Sequence, residues 1–209
     1  YARLLKEQLS SVLPIEDQNF GKFSLGYYST RMDPNMKDSP RENMEDNLYE
    51  CKKYAKEFGE SSPNLLMYGS PGLGKTFLST CIADAVSARG FSVAYDTAIN
   101  IIAAYETIKF GTGDGAAAAE RAARYERADL LIIDDMGTEM GTAFTVSALY
   151  NLINNRLMAH RPMIVNTNLL PDELKKRYSP AVASRLLGEF KQLRFFGDDI
   201  RMLKSRMQR

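Results

Sequence analysis

Cysteine is scarce in this 209-residue chain, with Cys51 and Cys81 the only two. They are too few and too far apart for a zinc cluster, and they suit a reduced, cytoplasmic setting. No apolar stretch approaches membrane-spanning length, and the opening "YARLLKEQLS" carries no signal-peptide core, so no membrane partner is expected. A large charge of one sign is also missing: 27 Lys and Arg against 26 Asp and Glu leave +1. That removes any global polycationic signature for nucleic acid, and a DNA-binding surface would have to be a local patch. The chain has no internal repeat, and it opens on Tyr1 rather than methionine, which leaves a preceding domain open. Its 44% hydrophobic content is enough for one substantial core, so one main domain with at most a small appendage is expected.

Glycine, by contrast, is concentrated where it counts. In "PNLLMYGSPGLGKTFLST", Gly69, Gly74, Lys75 and Thr76 fit the G-x-x-x-x-G-K-[ST] pattern of a phosphate-binding loop. Leu65, Leu66 and Met67 read as a short buried strand before it; Phe77, Leu78, Cys81, Ile82 and Ala85 recur at helical spacing after it. Strand, loop and helix then stand in the order that lets backbone N–H groups, unhindered at Gly72 and Gly74, surround a phosphate at a helix N-terminus. Lys75 is expected exposed at the loop, reaching the β- and γ-phosphates, and Thr76 is expected to hold Mg²⁺ through its hydroxyl.

From residue 63 onward strands and helices alternate, which argues for an α/β fold with a mainly parallel sheet covered on both faces. "FSVAYD", "DLLIID", "RPMIVN" and "QLRFF" read as the later strands and "TAINIIAAYETIKF" as a helix. Before residue 60, "STRMDPNMKDSPREN" reads as a surface-hugging loop. "MEDNLYECKKYAKEFGE" reads as a helix with Leu48, Cys51, Tyr54, Ala55 and Phe58 on one face. The buried strand Leu130 to Ile133 delivers Asp134 and Asp135 at its C-terminal edge, where ligands of open α/β sheets bind. Asp134 is the expected Mg²⁺ partner, and Asp135 the acid that orients or deprotonates an attacking water. Asp135 is one methylene shorter than the usual glutamate, so hydrolysis is expected to be slow or to draw on Glu139. The interval from Lys75 to Asp134 leaves room for a further strand between the two motif strands. That arrangement suits motor and switch ATPases better than small-molecule kinases, whose arginine-rich lid is not evident. Asn168 stands where it can bond the attacking water or simply occupy a post-strand turn. Arg185 lies on a predicted helix in "SPAVASRLLGEF", and Arg201, Lys204 and Arg206 lie on a basic C-terminal one.

Taken together, "FSLGYYS", "LLMYGSPGLGKTFLSTCIADAV", "VAYDTAINII", "DLLIIDDMGTE", "LYNLINNR", "MIVNTNL", "VASRLLG" and "FFGDDIR" resemble the AAA+ helicase loaders of the DnaC and DnaI type and the closely related IstB transposition ATPases. The resemblance runs from about residue 20 onward in the family's order. It implies a P-loop AAA+ core over residues 61–209 with a reduced or absent lid, preceded by an irregular segment and helix over residues 1–60 packed on that core. It implies nucleotide (ATP or ADP) contacts from Ser70, Pro71, Gly72, Leu73, Gly74, Lys75, Thr76 and Phe77, and Mg²⁺ held by Thr76 and Asp134. Asp134 and Asp135 would be the Walker B pair, Asn168 sensor 1, and Arg185 an arginine finger serving a neighbouring subunit of a nucleotide-dependent oligomer. The implied partners are single-stranded DNA and a replicative DNA helicase, with an IstB-like transposition helper or a DNA-binding module of negligible turnover as the alternatives. By the same resemblance, residues 97–127 match a helical insertion that faces DNA. Its Tyr105, Lys109, Phe110, Arg121, Arg124 and Tyr125 mix cations with rings that can stack on bases, although "GDGAAAAERAARYER" also reads as a plain alanine-rich helix.

Overall fold

A computed structural model describes Leu13 and residues 17–207, so "YARLLKEQLS" lies outside the described residues. Five strands form one parallel sheet: β1 (Asn64–Gly69), β2 (Val93–Thr97), β3 (Leu130–Met136), β4 (Met163–Thr167) and β5 (Phe190–Phe195). Their order is β2-β3-β4-β1-β5. The strand between the two motif strands β1 and β3 is thus β4, from later in the chain, while "FSVAYD" supplies the edge strand β2.

Each strand alternates between two cores, as a sheet buried on both sides requires. Leu130 and Ile132 join Leu65, Met67 and Ile164 on one face, while Leu131 and Ile133 join Leu66, Met163 and Val165 on the other. The first face is covered by α1 (Pro40–Glu57) and α2 (Lys75–Ala88). The second is covered by α3 (Ala98–Phe110), α4 (Gly115–Arg127), α5 (Ala143–Met158), α6 (Pro171–Arg177) and α7 (Pro180–Gly188). A last helix, α8 (Ile200–Met207), follows β5 and keeps no fully buried residue.

Helix α1 starts earlier than the loop reading of "STRMDPNMKDSPREN" expects. Ser39 Oγ accepts from the Glu42 N–H at 3.3 Å, Glu42 Oε2 accepts from the Ser39 N–H at 2.8 Å, and Pro40 occupies the first turn. This reciprocal cap satisfies two otherwise orphaned donors, so the helix nucleates inside a stretch that composition alone assigns to a turn. Its buried face carries Met44, Asn47, Cys51, Tyr54 and Ala55, with Leu48 only half-buried. Asn47 belongs there because its Nδ2 donates to the Arg194 carbonyl of the edge strand β5 at 2.8 Å. Both cysteines are buried and free, and no metal-ligating cluster of His, Cys, Asp or Glu occurs among the described residues. No described helix is long and apolar enough to cross a membrane.

Candidate nucleotide site

The phosphate loop leaves β1 at Gly69, where φ is +139° and any Cβ would overlap the Phe195 carbonyl of β5. Gly74, at φ +96°, turns the chain into α2, and its missing Cβ leaves room for the Tyr28 hydroxyl. No side chain caps the N-terminus of α2. Its leading N–H groups are therefore available to an anion, with the helix dipole favouring negative charge there.

Lys75 departs from expectation, being only 6% exposed rather than standing out from the loop. Its Nζ folds back to donate to the Gly69 carbonyl at 2.6 Å and the Ser70 carbonyl at 2.8 Å. Burial pushes its ammonium down to about 8, with Asp135 and Asp134 pulling the other way. A lysine that neutralises this easily has lost its water and gained no carboxylate contact.

Asp134 is buried at the end of β3 and collects donors. Its Oδ1 accepts from Thr76 Oγ1 at 3.2 Å, from Asn166 Nδ2 at 2.9 Å and from the Asp135 N–H at 3.0 Å; its Oδ2 accepts from the Tyr95 hydroxyl. Asp135 stands apart. Pairing of β3 with β4 shifts between Ile133 and Met136, and Asp135 takes a positive φ of 50° that carries its side chain out of the core. Irregularities of this kind commonly re-aim a side chain beside a site. Partial burial and the neighbouring Asp134 both raise the Asp135 carboxyl above its usual range.

Thr76, Asp134, Asp135 and Asn168 all line one cavity of about 460 Å³ together with Gly72, Leu73, Gly74, Lys75 and Phe77. Ser70 and Pro71 do not line it; Ser70 instead supplies a carbonyl to Lys75. Glu139 is not available for the assisting role either. It is buried and accepts from the Gly137 N–H at 2.8 Å and from the Tyr178 hydroxyl, which pins the chain after β3 to the turn between α6 and α7.

The remaining walls come from the two ends of the described chain. On one side stand Gln18, Phe23, Tyr27 and Tyr28, with the Tyr28 hydroxyl donating to the Leu73 carbonyl at 3.0 Å and Phe23 meeting Phe77 edge-on at 5.4 Å between centroids. On the other stand Ile200, Arg201 and Lys204 of α8. The Ile200 N–H donates to the Gly72 carbonyl at 3.0 Å, a Cβ on Gly72 would overlap the Asp199 carboxylate, and Lys204 Nζ lies 4.8 Å from the Tyr27 ring centroid. Arg201 and Lys204 of α8 therefore border the cavity, as do Lys22 and the loop's own Lys75.

Arg185 does not. It packs over the Tyr150 ring at 5.5 Å and borders a separate hollow with Asn64, Arg161 and Glu189, at the opposite, N-terminal ends of the strands. In the 97–127 region Lys109, Phe110, Arg121 and Arg124 are exposed, while Tyr125 is fully buried and donates to Asp96 at 2.7 Å, which removes it from any base-stacking surface. Tyr105 is half-buried, with its hydroxyl directed to Glu126 at 3.4 Å.

The sequence model of the IstB-like ATP binding protein family matches residues 50–205. The replicative helicase loader DnaC of Escherichia coli K12 is 25% identical over 140 residues, covering 66% of this chain and 56% of that protein. A putative ATP-binding protein in an insertion sequence of Mycobacterium tuberculosis is 26% identical over 129 residues, covering 61% and 50%. The chain thus spans about half the length of these curated relatives. A crystal structure of the DnaC helicase loader superposes with a TM-score of 0.68 at 17% identity, over 88% of this chain and 99% of that one. With the family match covering most of the chain, this chain belongs to the IstB-like ATP binding proteins, of the DnaC/IstB-type AAA+ family.

Proposed function

We propose that the protein binds ATP·Mg²⁺ in the 460 Å³ cavity, hydrolyses it slowly when assembled into an oligomer, and uses the cycle to control its hold on single-stranded DNA and to place a replicative helicase. The observation that carries this reading is the convergence of the uncapped α2 N-terminus, Lys75, Thr76, Asp134, Asp135 and Asn168 on one cavity. The triphosphate takes the place of the Gly69 and Ser70 carbonyls as partner of Lys75, and the base lies toward Phe23, Tyr27 and Tyr28.

Thr76 and Asp134 suit Mg²⁺, which is generally held by one or two protein oxygens plus phosphates rather than by a dedicated cage. The buried, unpartnered Oδ1 of Asn166 beside Asp134 is a ready acceptor for a metal-bound water. When bound, the ion offsets phosphate charge. Asp135, whose carboxyl partial burial and Asp134 hold above its usual range, orients and accepts from the attacking water, and Asn168 donates to it.

The insertion-sequence relative supports a second reading, an IstB-like helper of transposition built on the same core. DNA and helicase pull-downs against transposase pull-downs separate the two.

Arg185 is assigned to a neighbouring subunit's site, because it borders the far end of the strands from its own. Arg201 and Lys204 are assigned to their own subunit's phosphates. A mixing experiment tests both assignments. Arg185→Ala loses about a thousandfold in assembly-stimulated phosphate release, and mixing it with Lys75→Ala restores activity, since the second variant lends its arginine to the first variant's intact loop. Arg201→Ala mixed with Lys75→Ala stays inactive, because no site in the mixture holds both residues. Rescue of the Arg201 mixture, or none of the Arg185 mixture once co-assembly is verified, reverses the assignments.

A further inference from the structure

We propose that Tyr95 is a positioning residue for Asp134 and sets the affinity of the nucleotide site for its divalent cation. The inference rests on the ATP·Mg²⁺ reading above and adds a residue outside the phosphate loop and the Asp134–Asp135 pair. In the β2–β3 register Tyr95 faces Ile132 and Thr97 faces Asp134, so Tyr95 sits one pleat below the acid on the same sheet face. Its ring packs in the core beneath α2 while its hydroxyl extends upward to donate to Asp134 Oδ2.

The division of labour between the two carboxylate oxygens gives this contact its meaning. Oδ1 takes Thr76, Asn166 and the Asp135 N–H, and Oδ2 takes Tyr95. Without Tyr95 the carboxylate is free to turn about its terminal torsion, which is broad and roughly two-fold for Asp. With Tyr95 in place the turn costs a hydrogen bond to a charged acceptor inside the protein, and Oδ1 stays presented to Thr76, the other oxygen suited to the metal. Tyr95 is itself only 9% exposed, so its hydroxyl has no comparable alternative in water. Groups that orient a metal ligand from behind typically cost tenfold to a hundredfold in metal affinity when removed.

Tyr95→Phe keeps the ring and deletes the hydroxyl. A fluorescent ATP analogue is titrated in EDTA and then across a Mg²⁺ series. In EDTA the variant binds within about twofold of wild type, whereas the Mg²⁺ concentration giving half of the metal-dependent gain in affinity rises about tenfold or more. Mn²⁺ binding to the nucleotide complex, read by its paramagnetic resonance, weakens by the same factor. In an Asp134→Asn background Tyr95→Phe adds nothing further.

An unchanged Mg²⁺ midpoint beside normal EDTA binding overturns the proposal, as does an undiminished effect in the Asp134→Asn background. Wild-type protein that binds no nucleotide would instead sink the functional reading itself. If Tyr95→Phe fails to fold by circular dichroism, 3-fluorotyrosine placed at position 95 reports in its stead. Its ¹⁹F signal moves when Mg²⁺ joins the nucleotide complex, and an unmoved signal overturns the proposal.

Discussion

Lys75→Met in the nucleotide-free protein tests whether the phosphate loop holds its lysine against the lysine's own preference for water. Lys75 is 6% exposed, and burial takes its ammonium from an ordinary 10.5 down to about 8. At about 1.4 kcal/mol per pH unit, that gap makes the buried charge cost about 3 kcal/mol at pH 7. Opposing it are the bonds to the Gly69 and Ser70 carbonyls. Methionine removes the donor and leaves the buried Gly69 carbonyl unpaired, at a cost of about 1–3 kcal/mol. The difference leaves Lys75→Met between neutral and about 2 kcal/mol more stable than wild type at pH 7, while nucleotide binding is lost. The pH dependence isolates the cause. The folded-state value lies below the unfolded one, so between 8 and 10.5 the unfolded chain holds the extra proton and wild-type stability rises with pH. Below 8 both states are charged and the full penalty is present. The advantage of the methionine variant therefore shrinks by about 1.4 kcal/mol per pH unit as pH climbs through this window. Buried Cys51 and Tyr95, whose values are raised, act with the opposite sign, but they are common to both proteins and cancel in the difference. Urea denaturation of both proteins from about pH 7 to pH 9.5 measures it. A difference that stays flat with pH, or a variant less stable than wild type by more than about 2 kcal/mol at pH 7, refutes the account of Lys75 as a desolvated cation.

Arg156 is 1% exposed and donates to the carbonyls of Tyr125, Glu126, Ala128 and Pro162, which ties the end of α4 to the start of β4. Arg156→Met takes the guanidinium from the Tyr125, Glu126 and Ala128 carbonyls, the Pro162 carbonyl keeping the Leu131 N–H, and destabilises the fold by about 3 kcal/mol or more, read from denaturant midpoints, with faster amide exchange at the end of α4. On the exposed face of the 97–127 region, replacing Lys109, Arg121 and Arg124 by alanine lowers the salt slope of single-stranded DNA binding by about 0.7 for each lost phosphate contact, and an unchanged slope moves the DNA surface elsewhere.

What was legible in the sequence is what local geometry encodes. The phosphate loop can be read because its glycines are needed where the backbone itself is unusual: Gly69, Gly72 and Gly74 all take positive φ. Strands β1, β3 and β4 can be read because each carries a short apolar run between turn signals. Helix α1 starts ahead of its apolar periodicity because its start depends on the Ser39–Glu42 cap. Sheet order is another matter. The crossover that puts β4 between β1 and β3 leaves no mark within any single strand, so the neighbours of Asp134 across the sheet were not visible either. Tyr95 and Asn166 lie 39 and 32 residues from Asp134, and only the assembled order β2-β3-β4 brings them to its two oxygens.

Charge at the site is likewise set by contacts between distant segments. A lysine in a glycine-rich loop looks exposed until the Gly69 and Ser70 carbonyls are seen to turn inward toward it. Arg201 looks like part of a solvated terminal helix until the Ile200 N–H is found bonded to the Gly72 carbonyl. That bond matters for function because it ties the cations of α8 to the loop that receives the phosphates. Any shift of the loop on nucleotide entry must move Arg201 and Lys204 with it or break the bond. Arg201 and Lys204 thus border the cavity beside the phosphate loop, whereas Arg185 borders a separate hollow at the far end of the strands.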